Sequence, residues 1–483
     1  MKHANGTTQF VATASDGSKS SWTALVLLGA MSVSGAALAQ SNAAPSVTGP
    51  SANVPADQSL TWHGITLYGI VDVGLQYENH GAPFSDYHPA GSENVINKNG
   101  RQSVFGATPS NLSQSRIGLQ GSEPVIGDWN AVFKLETFFN PQSGQISDAL
   151  KPMTQNNGRT TATQSTDIDS SVAGQAFQTA YAGMSSKQWG TVTFGRQVTP
   201  IGDGVTKYDP NTGSQAFSLI GMSGNYAGGG ATEDKRVDSS LKYTANFAGM
   251  FHVSAIAKFN GSNGAANTLY QGSVGAEYAG ASVDAYYGKT NSAIAAASLT
   301  EAQVLTLPTL GYSVSNSIAA TVSDNTTIAL MGLYAFGPAK FYLGYENIKF
   351  ANPKNPLPVG FDDIGGYILA VVNNNAYAEE KIWNVYWAGV KYTAAPGLDL
   401  TAAFYGYHQS AYGTGALAGC DTNANSKCAG TFESFSFDAV YALASRWDVY
   451  GGVMYSAVHD GLANGYTYQT NNINPTVGVR FKF

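Results

Sequence analysis

The feature that most limits the folds open to this chain is a two-residue hydrophobic period that recurs along its length. In "NPTVGVRFKF", at the C-terminus, Val477, Val479, Phe481 and Phe483 share one parity, and Gly478, Arg480 and Lys482 share the other. In "ITLYGIVDVGL", Leu67, Val71, Val73 and Leu75 alternate with Thr66, Tyr68 and Asp72. "TFESFSFDAVYAL" sets Phe435, Phe437, Ala439 and Tyr441 against Ser434, Ser436 and Asp438. "WDVYGGVMYSAVH" sets Trp447, Val449, Val453 and Tyr455 against Asp448, Tyr450 and Ser456. Successive side chains of a strand point to opposite faces, so this pattern reads as β-strands that are greasy on one face and polar on the other. Residues 326–336 alternate poorly. No stretch reads as a long amphipathic helix, and the chain is all-β.

Composition narrows the class. Only 12% of the 483 residues are charged while 43% are hydrophobic, with 27 Tyr, 22 Phe and 55 Gly. The charged share is about half that of a soluble domain. Glycine shows no three-residue period, which excludes collagen, and the aromatics exclude disorder. A net charge of −7 argues against a nucleic-acid partner. Apart from residues 22–39, no apolar run approaches the length of a membrane helix.

That run, in "SWTALVLLGAMSVSGAALAQ", follows Lys2 and Lys19 and ends in Ala37-Leu38-Ala39, which reads as a secretory signal over residues 1–39. Residues 40–61 read as a flexible Ser/Ala/Pro-rich lead-in. Removing the signal takes away Lys2, Lys19 and Asp16, leaving 23 basic and 31 acidic residues, a net charge of −8. Cys420 and Cys428, in "CDTNANSKC", read as a disulfide closing a loop tip, with two free thiols as the alternative. The spacing does not suit a metal site.

Connections alternate between short and long. Short ones fall at 123–128, 187–190, 246–250, 279–281, 336–338, 394–397 and 444–446. Long ones fall near 80–112, 140–174, 200–234, 260–269, 290–325, 351–380, 411–430 and 460–473. Seven short turns and eight long loops make sixteen strands, all antiparallel, over residues 62–483. Strands of about ten residues cross a membrane when tilted. A sheet in lipid must close, since an open edge leaves backbone groups unpaired. The expectation is a sixteen-stranded transmembrane β-barrel with short periplasmic turns and long extracellular loops. A soluble sandwich, propeller or β-helix would show no such rule of loop lengths, and no regular repeat is present.

A sixteen-stranded barrel is too wide for side chains to fill, so its lumen holds water, and selectivity needs a charged constriction. The third long loop, with Asp203, Asp209, Glu233, Asp234 and Lys207, is the candidate. A solvated external loop is the plain alternative. On the walls, Arg116 and Gln120 lie opposite Ile117 and Leu119, which points Arg116 to water. Lys134 and Glu136 share the inward parity of the third strand. Arg236, Asp238, Ser240 and Lys242 lie opposite Val237, Leu241 and Tyr243. Arg196 groups by simple alternation with Val192 and Phe194, and a bulge at Gly195 would turn it inward.

The chain resembles the trimeric general porins of Gram-negative outer membranes, in particular the betaproteobacterial branch. The resemblance rests on "TLYGIVDVGLQY", "SRIGLQGSE", "VFKLETFFNPQSG", "AYAGMSSKQWGTVTFGRQVTP", "RVDSSLKYTA" and the final Phe483. It implies a trimer that packs through strands one to five and sixteen, and a third loop folded into the barrel at mid-height. It implies a basic wall at Arg116, Arg196 and Arg236 facing loop carboxylates, best Asp203 and Asp209, with Lys134, Glu136 and Lys242 lining the pore. Phe483 matches the terminal aromatic read by the outer-membrane insertion machinery. The implied partners are lipid and lipopolysaccharide of the outer membrane, and small hydrophilic solutes and ions. No cofactor or metal is expected. The third loop departs from several family members, since its middle carries no carboxylate, which raises anion preference as a hypothesis.

Other functions leave weaker marks. A barrel hydrolase needs a nucleophile paired with a His. His63, His80, His88, His252, His408 and His459 stand in no nucleophile-elbow or HExxH pattern. A channel specific for sugars or carboxylates would line one wall with aromatics, for which Trp383, Tyr386, Trp387, Tyr405 and Tyr407 are candidates. An interface girdle explains the tryptophans equally well. A receptor or adhesin would carry a plug or passenger, and the lead-in is too short for either. The sequence therefore reads as a water-filled channel for passive diffusion across the outer membrane.

Overall fold

The computed structural model describes residues 60–81, 96–97, 101–148, 150–160, 176–222, 236–259, 268–362 and 364–483, all within one unit, Ser46–Phe483. The expected signal, and the lead-in up to residue 59, lie outside the described residues. The strands of the first half are β1 (Leu60–Trp62), β2 (Ile65–Glu78), β3 (Val104–Pro109), β4 (Arg116–Ile126), β5 (Trp129–Phe138), β6 (Phe177–Ser186), β7 (Gly190–Val198), β8 (Arg236–Phe247), β9 (Phe251–Lys258) and β10 (Thr268–Tyr278). Those of the second half are β11 (Ala281–Ala297), β12 (Ser317–Phe336), β13 (Ala339–Ala351), β14 (Ile368–Asn373), β15 (Lys381–Ala395), β16 (Leu398–Gln409), β17 (Gly430–Ala444), β18 (Trp447–Asp460) and β19 (Asn471–Lys482). Among the described residues, four α-helices sit in the long loops: α1 (Leu150–Gln155), α2 (Pro200–Tyr208), α3 (Leu219–Met222) and α4 (Glu301–Leu310).

Sixteen of these strands form the wall, each antiparallel to the next, and β1, β3 and β14 are accessory. β19 closes the ring on β2 with Arg480 opposite Asp72 and Val477 opposite Leu75. Phe483 completes the seam, exchanging backbone hydrogen bonds with Gly69 at 2.9 and 3.0 Å. Each wall strand thus pairs with a neighbour on both sides, which is what lipid demands of a sheet.

The alternation read from the sequence sorts the side chains as expected. Phe435, Phe437 and Val477 are more than half exposed on the outside, whereas Ser434, Asp438 and Asp72 are buried inside. The seven short turns fall where expected. Two details differ. The position of the second wall strand is shared: the upper half of β2 pairs with β3, and the lower half with β4. Between them residues 110–115 leave the wall inward, with Ser110 at φ +60°. Asp72 holds that excursion through the amides of Leu112 and Ser113, at 3.0 and 2.7 Å. The fifth loop is also shorter than expected, because β11 and β12 continue to Ala297 and from Ser317.

That continuation builds a small cap at the long-loop end. β14 adds in parallel to the outer part of β12, Ser317 opposite Ile368. One face of this sheet buries Ile294, Ile318, Val322 and Leu369 against Leu150 and Met153 of α1 and Phe361 of the sixth loop. The other buries Leu299 and Ala370 against Leu307 of α4. Alternate residues therefore face two apolar layers, a pattern of water-soluble sheets rather than of membrane-crossing strands.

Candidate functional site

The third loop folds into the lumen because its sequence suits one short helix with a single apolar side. Thr199 caps α2, its hydroxyl accepting from Gly202 N at 3.1 Å, and Pro200 occupies the first helical position. Ile201, Val205 and Tyr208, fully buried, lie against Tyr286, Met331, Ile348, Val385 and Trp387 on the inner faces of β11–β15. Each such side chain contributes about 1.5–3 kcal/mol by leaving water. Polar contacts fix the register: Trp387 Nε1 donates to Tyr208 O at 2.9 Å, and Tyr208 Oη lies 2.6 Å from Ser282 Oγ. Beyond the helix, Asn211 Nδ2 donates to Tyr405 Oη and Ser436 Oγ at 3.1 and 3.0 Å. The loop's far limb reaches the inward excursion of residues 110–115, where Ala216 N and Ser214 Oγ both donate to Asn111 O. Asn474 Nδ2 on β19 donates to Ala216 O. The loop is thus bedded on the inner wall from β11 to β19.

The opposite stretch of wall, β4 to β8, is basic. Glu136 Oε2 lies 3.9 Å from Arg116 Nη1 and 3.5 Å from Lys134 Nζ, and accepts from Tyr68 Oη at 2.8 Å. The Arg116 and Arg236 guanidinium groups sit over the Phe138 ring, at 5.7 and 4.8 Å from its centre, and Lys134 sits over Tyr68 at 5.4 Å. Among the described residues, three cations therefore gather round one carboxylate, with aromatic rings beneath them.

The remaining expected residues are placed differently. Lys242 Nζ binds Asp203 at 2.5 Å and Val198 O at 2.9 Å, tying the start of α2 to β8. Asp209 is fully buried, and its oxygens accept from Tyr405 Oη at 2.7 Å and from the amides of Asn211 and Gly213 at 3.0 and 2.7 Å. It ends the helix and fastens the loop, so the expectation of a pore-facing acid at 209 does not match its placement. The bulge anticipated near Arg196 exists: the ladder shifts between Gly195 and Gln197, with Gly195 at φ +134°. Gln197, not Arg196, bonds Thr193 and Ser240. Arg196 faces Ala180 across the ladder and pairs with Asp238 at 2.6 Å. The structure thus brings Arg116, Lys134, Glu136 and Arg236 together, and pairs Arg196 with Asp238. Glu233 and Asp234 lie outside the described residues. Cys420 and Cys428 are bonded to each other in the seventh loop.

Several residues at the site were not singled out from sequence. Tyr68 and Phe138 carry the cations. On the loop side, Glu277 and Asp284 lie 2.6 and 3.5 Å from the expected Lys207, and Asp284 also pairs with His252. His252 and Asp284 stand on β9 and β11 and touch across Gly275 of β10, where a Cβ would fall 1.5 Å from the Asp284 carboxylate. A strand glycine flanked in register by a histidine and an aspartate was the available signal. Trp383, Trp387, Tyr405 and Tyr407 are buried inward, and the loop rests on them. They form neither a ladder open to the lumen nor a girdle facing lipid.

Comparison with known proteins accords with this architecture. The model of the Gram-negative porin family matches residues 21–461. The chain belongs to that family. This porin is 26% identical to outer membrane porin protein 32 of Delftia acidovorans over 71% of the chain and 72% of the relative. It is 27% identical to an outer membrane porin protein of Bordetella pertussis over 38% of the chain, which spans 40% of that relative's length. Among solved structures it resembles an anion-selective porin from Comamonas acidovorans, with a TM-score of 0.56 and 19% identity over 87% of this chain and 99% of that one. It also resembles a trimer form of the outer membrane protein OmpT of Vibrio cholerae, with a TM-score of 0.53, 16% identity and coverage of 87% and 99%. These likenesses are to the fold. The porin is an outer-membrane β-barrel whose lumen serves passive diffusion.

Proposed function

We propose that this porin is a general diffusion channel that prefers anions, and that the preference arises between the third loop and the β4–β8 wall. The observation that carries the reading is the gathering of Arg116, Lys134 and Arg236 about Glu136 on the described wall. Lys242 and Asp203 cancel each other, as do Arg196 and Asp238. Among the described residues of the β4–β8 wall, Arg116, Lys134 and Arg236 share the carboxylate of Glu136, which makes that wall basic. A field across a water-filled constriction orients polar solutes, and an apolar solute gains nothing from it. The anion selectivity stated for the Comamonas porin, of like fold, is consistent with this.

The working unit is proposed to be a homotrimer seated in lipid and lipopolysaccharide, as the trimeric form of the Vibrio cholerae protein favours. The final Phe483, paired at the seam with Gly69, is proposed as the residue read by the insertion machinery. The signal at residues 1–39 is proposed to direct export. Transport is passive and involves no enzymatic step.

The test is a planar bilayer holding the purified protein in a tenfold salt gradient. The expected result is large conductance steps, often in threes, and a reversal potential of the sign for anions. Arg116→Ala with Arg236→Ala should bring that potential to zero or reverse it. Cation selectivity in the unaltered protein, or a potential unmoved by the double substitution, would sink the proposal.

A further inference from the structure

The extracellular cap is tied to the opposite rim of the barrel, and this tie was not visible in the sequence. β5 is the third of the sixteen wall strands, and β11 and β12 are the ninth and tenth. They stand nearly opposite one another across the mouth. The second loop leaves β5, makes a tight hairpin and returns, so that Ser147 N donates to Phe138 O at 3.1 Å. From that hydrogen bond Leu150 is three residues away, a reach of about 11 Å at most. Yet Leu150 and Met153 are buried among Ile294, Ile318, Val322 and Leu369, which belong to the ribbon rooted on the far side. The joint is also polar. Asp148 Oδ2 accepts from Tyr367 Oη at 2.7 Å, Gly158 N donates to Leu299 O at 2.8 Å, and Asn157 Nδ2 donates to Ser317 O at 2.6 Å. The far-side cap therefore reaches across the mouth and is fastened to the near rim. Its near end rests on Phe138, the residue whose ring carries Arg116 and Arg236.

We infer that this strap, α1 with its seat on the β11–β12 ribbon, is a second size filter in series with the constriction, and that Leu150, Met153 and Asn157 determine it. The inference rests on the diffusion-channel reading. A solute approaching the basic wall must pass beside the strap before it meets the charges. Bulk is therefore sorted at the mouth, and charge is sorted below. Leu150, Met153 and Asn157 lie in no wall strand, so loosening them leaves the ladder and the basic cluster intact.

The experiment is a vesicle-swelling assay with neutral saccharides from a pentose to a tetrasaccharide. It compares the unaltered protein with Leu150→Ser/Met153→Ser and with a variant whose residues 150–157 are replaced by Gly-Gly. In both variants the pentose rate is expected to stay unchanged, while the largest saccharides enter severalfold faster. The same size dependence in all three proteins would overturn the strap as a filter while leaving the channel reading in place. If the replacement variant fails to insert, the double substitution alone decides. If the unaltered protein passes neither pentose nor ions, the channel reading fails first and the strap with it.

Discussion

Glu136 shows how one side chain sets the balance of a whole constriction. It lies under 4 Å from both Arg116 and Lys134 and is oriented by Tyr68. Unit charges about 4 Å apart interact by about 1 kcal/mol in water and more where solvent is thinned. Glu136→Gln should therefore raise the anion-to-cation permeability ratio about fivefold, since 1.4 kcal/mol is a factor of ten. A reversal potential that does not move would show that Glu136 lies off the ion path. The two loop acids should part company in the same measurement. Asp203→Asn frees Lys242 from its partner and should also shift the ratio towards anions. Asp209→Asn should leave the ratio unchanged, because the carboxylate is buried against Tyr405 and the loop's own amides. Its effect should appear as a less steady loop, read as added current noise. From sequence the two acids were equivalent, both near the start of the third loop. Only the helix between them decides which one meets a wall lysine and which one closes the turn.

At the level of elements, the poor alternation of residues 326–336 has a physical cause. On β12 the outward Ile328, Leu330 and Phe336 meet lipid, while the inward Ala329 and Met331 meet α2. A strand covered on both faces loses its polar parity. The same holds for Trp383, Val385 and Trp387 on β15, whose inward parity is apolar for the loop's sake. Strand number, turns and lumen parity were legible because they depend on local alternation. The bed of the loop was not, because it is an agreement between segments about 180 residues apart. The cap was hidden for the same reason, and parity alone could not place Arg196, because the register shifts at that very position and Gln197 takes the inward contacts. Trp387→Ala tests the bed. It removes a fully buried indole and its bond to Tyr208 O, which costs about 3–5 kcal/mol for a large aromatic. The wall ladder is untouched, so insertion should persist. Single-channel records should show larger, flickering conductance as α2 leaves its seat. A steady, unaltered conductance would mean that the loop is held by its polar anchors alone.

For the whole molecule, the sign of the charge depends on where it is counted. The chain carries −7 overall, yet among the described residues the wall that faces the third loop gathers cations round Glu136. Selectivity should follow the local sign, because a narrow passage with low-dielectric walls focuses the field of the charges that line it. Charges on the exposed outer loops are shielded by salt over a Debye length, about 10 Å at 0.1 M and about 3 Å at 1 M. The two contributions therefore separate with ionic strength. Low salt lets the acidic exterior oppose anion access, and high salt removes that opposition before it weakens the charges inside the constriction. Reversal potentials taken at a fixed gradient ratio from 0.01 to 1 M salt should accordingly stay on the anion side throughout. The preference should be shallow at the lowest salt, largest at an intermediate concentration, and smaller again near 1 M as the constriction itself is screened. A preference that falls steadily from the lowest salt would show that the exterior contributes nothing. A crossing to cation preference at low salt would show that the outer loops, rather than the Arg116–Arg236 wall, govern which ions enter.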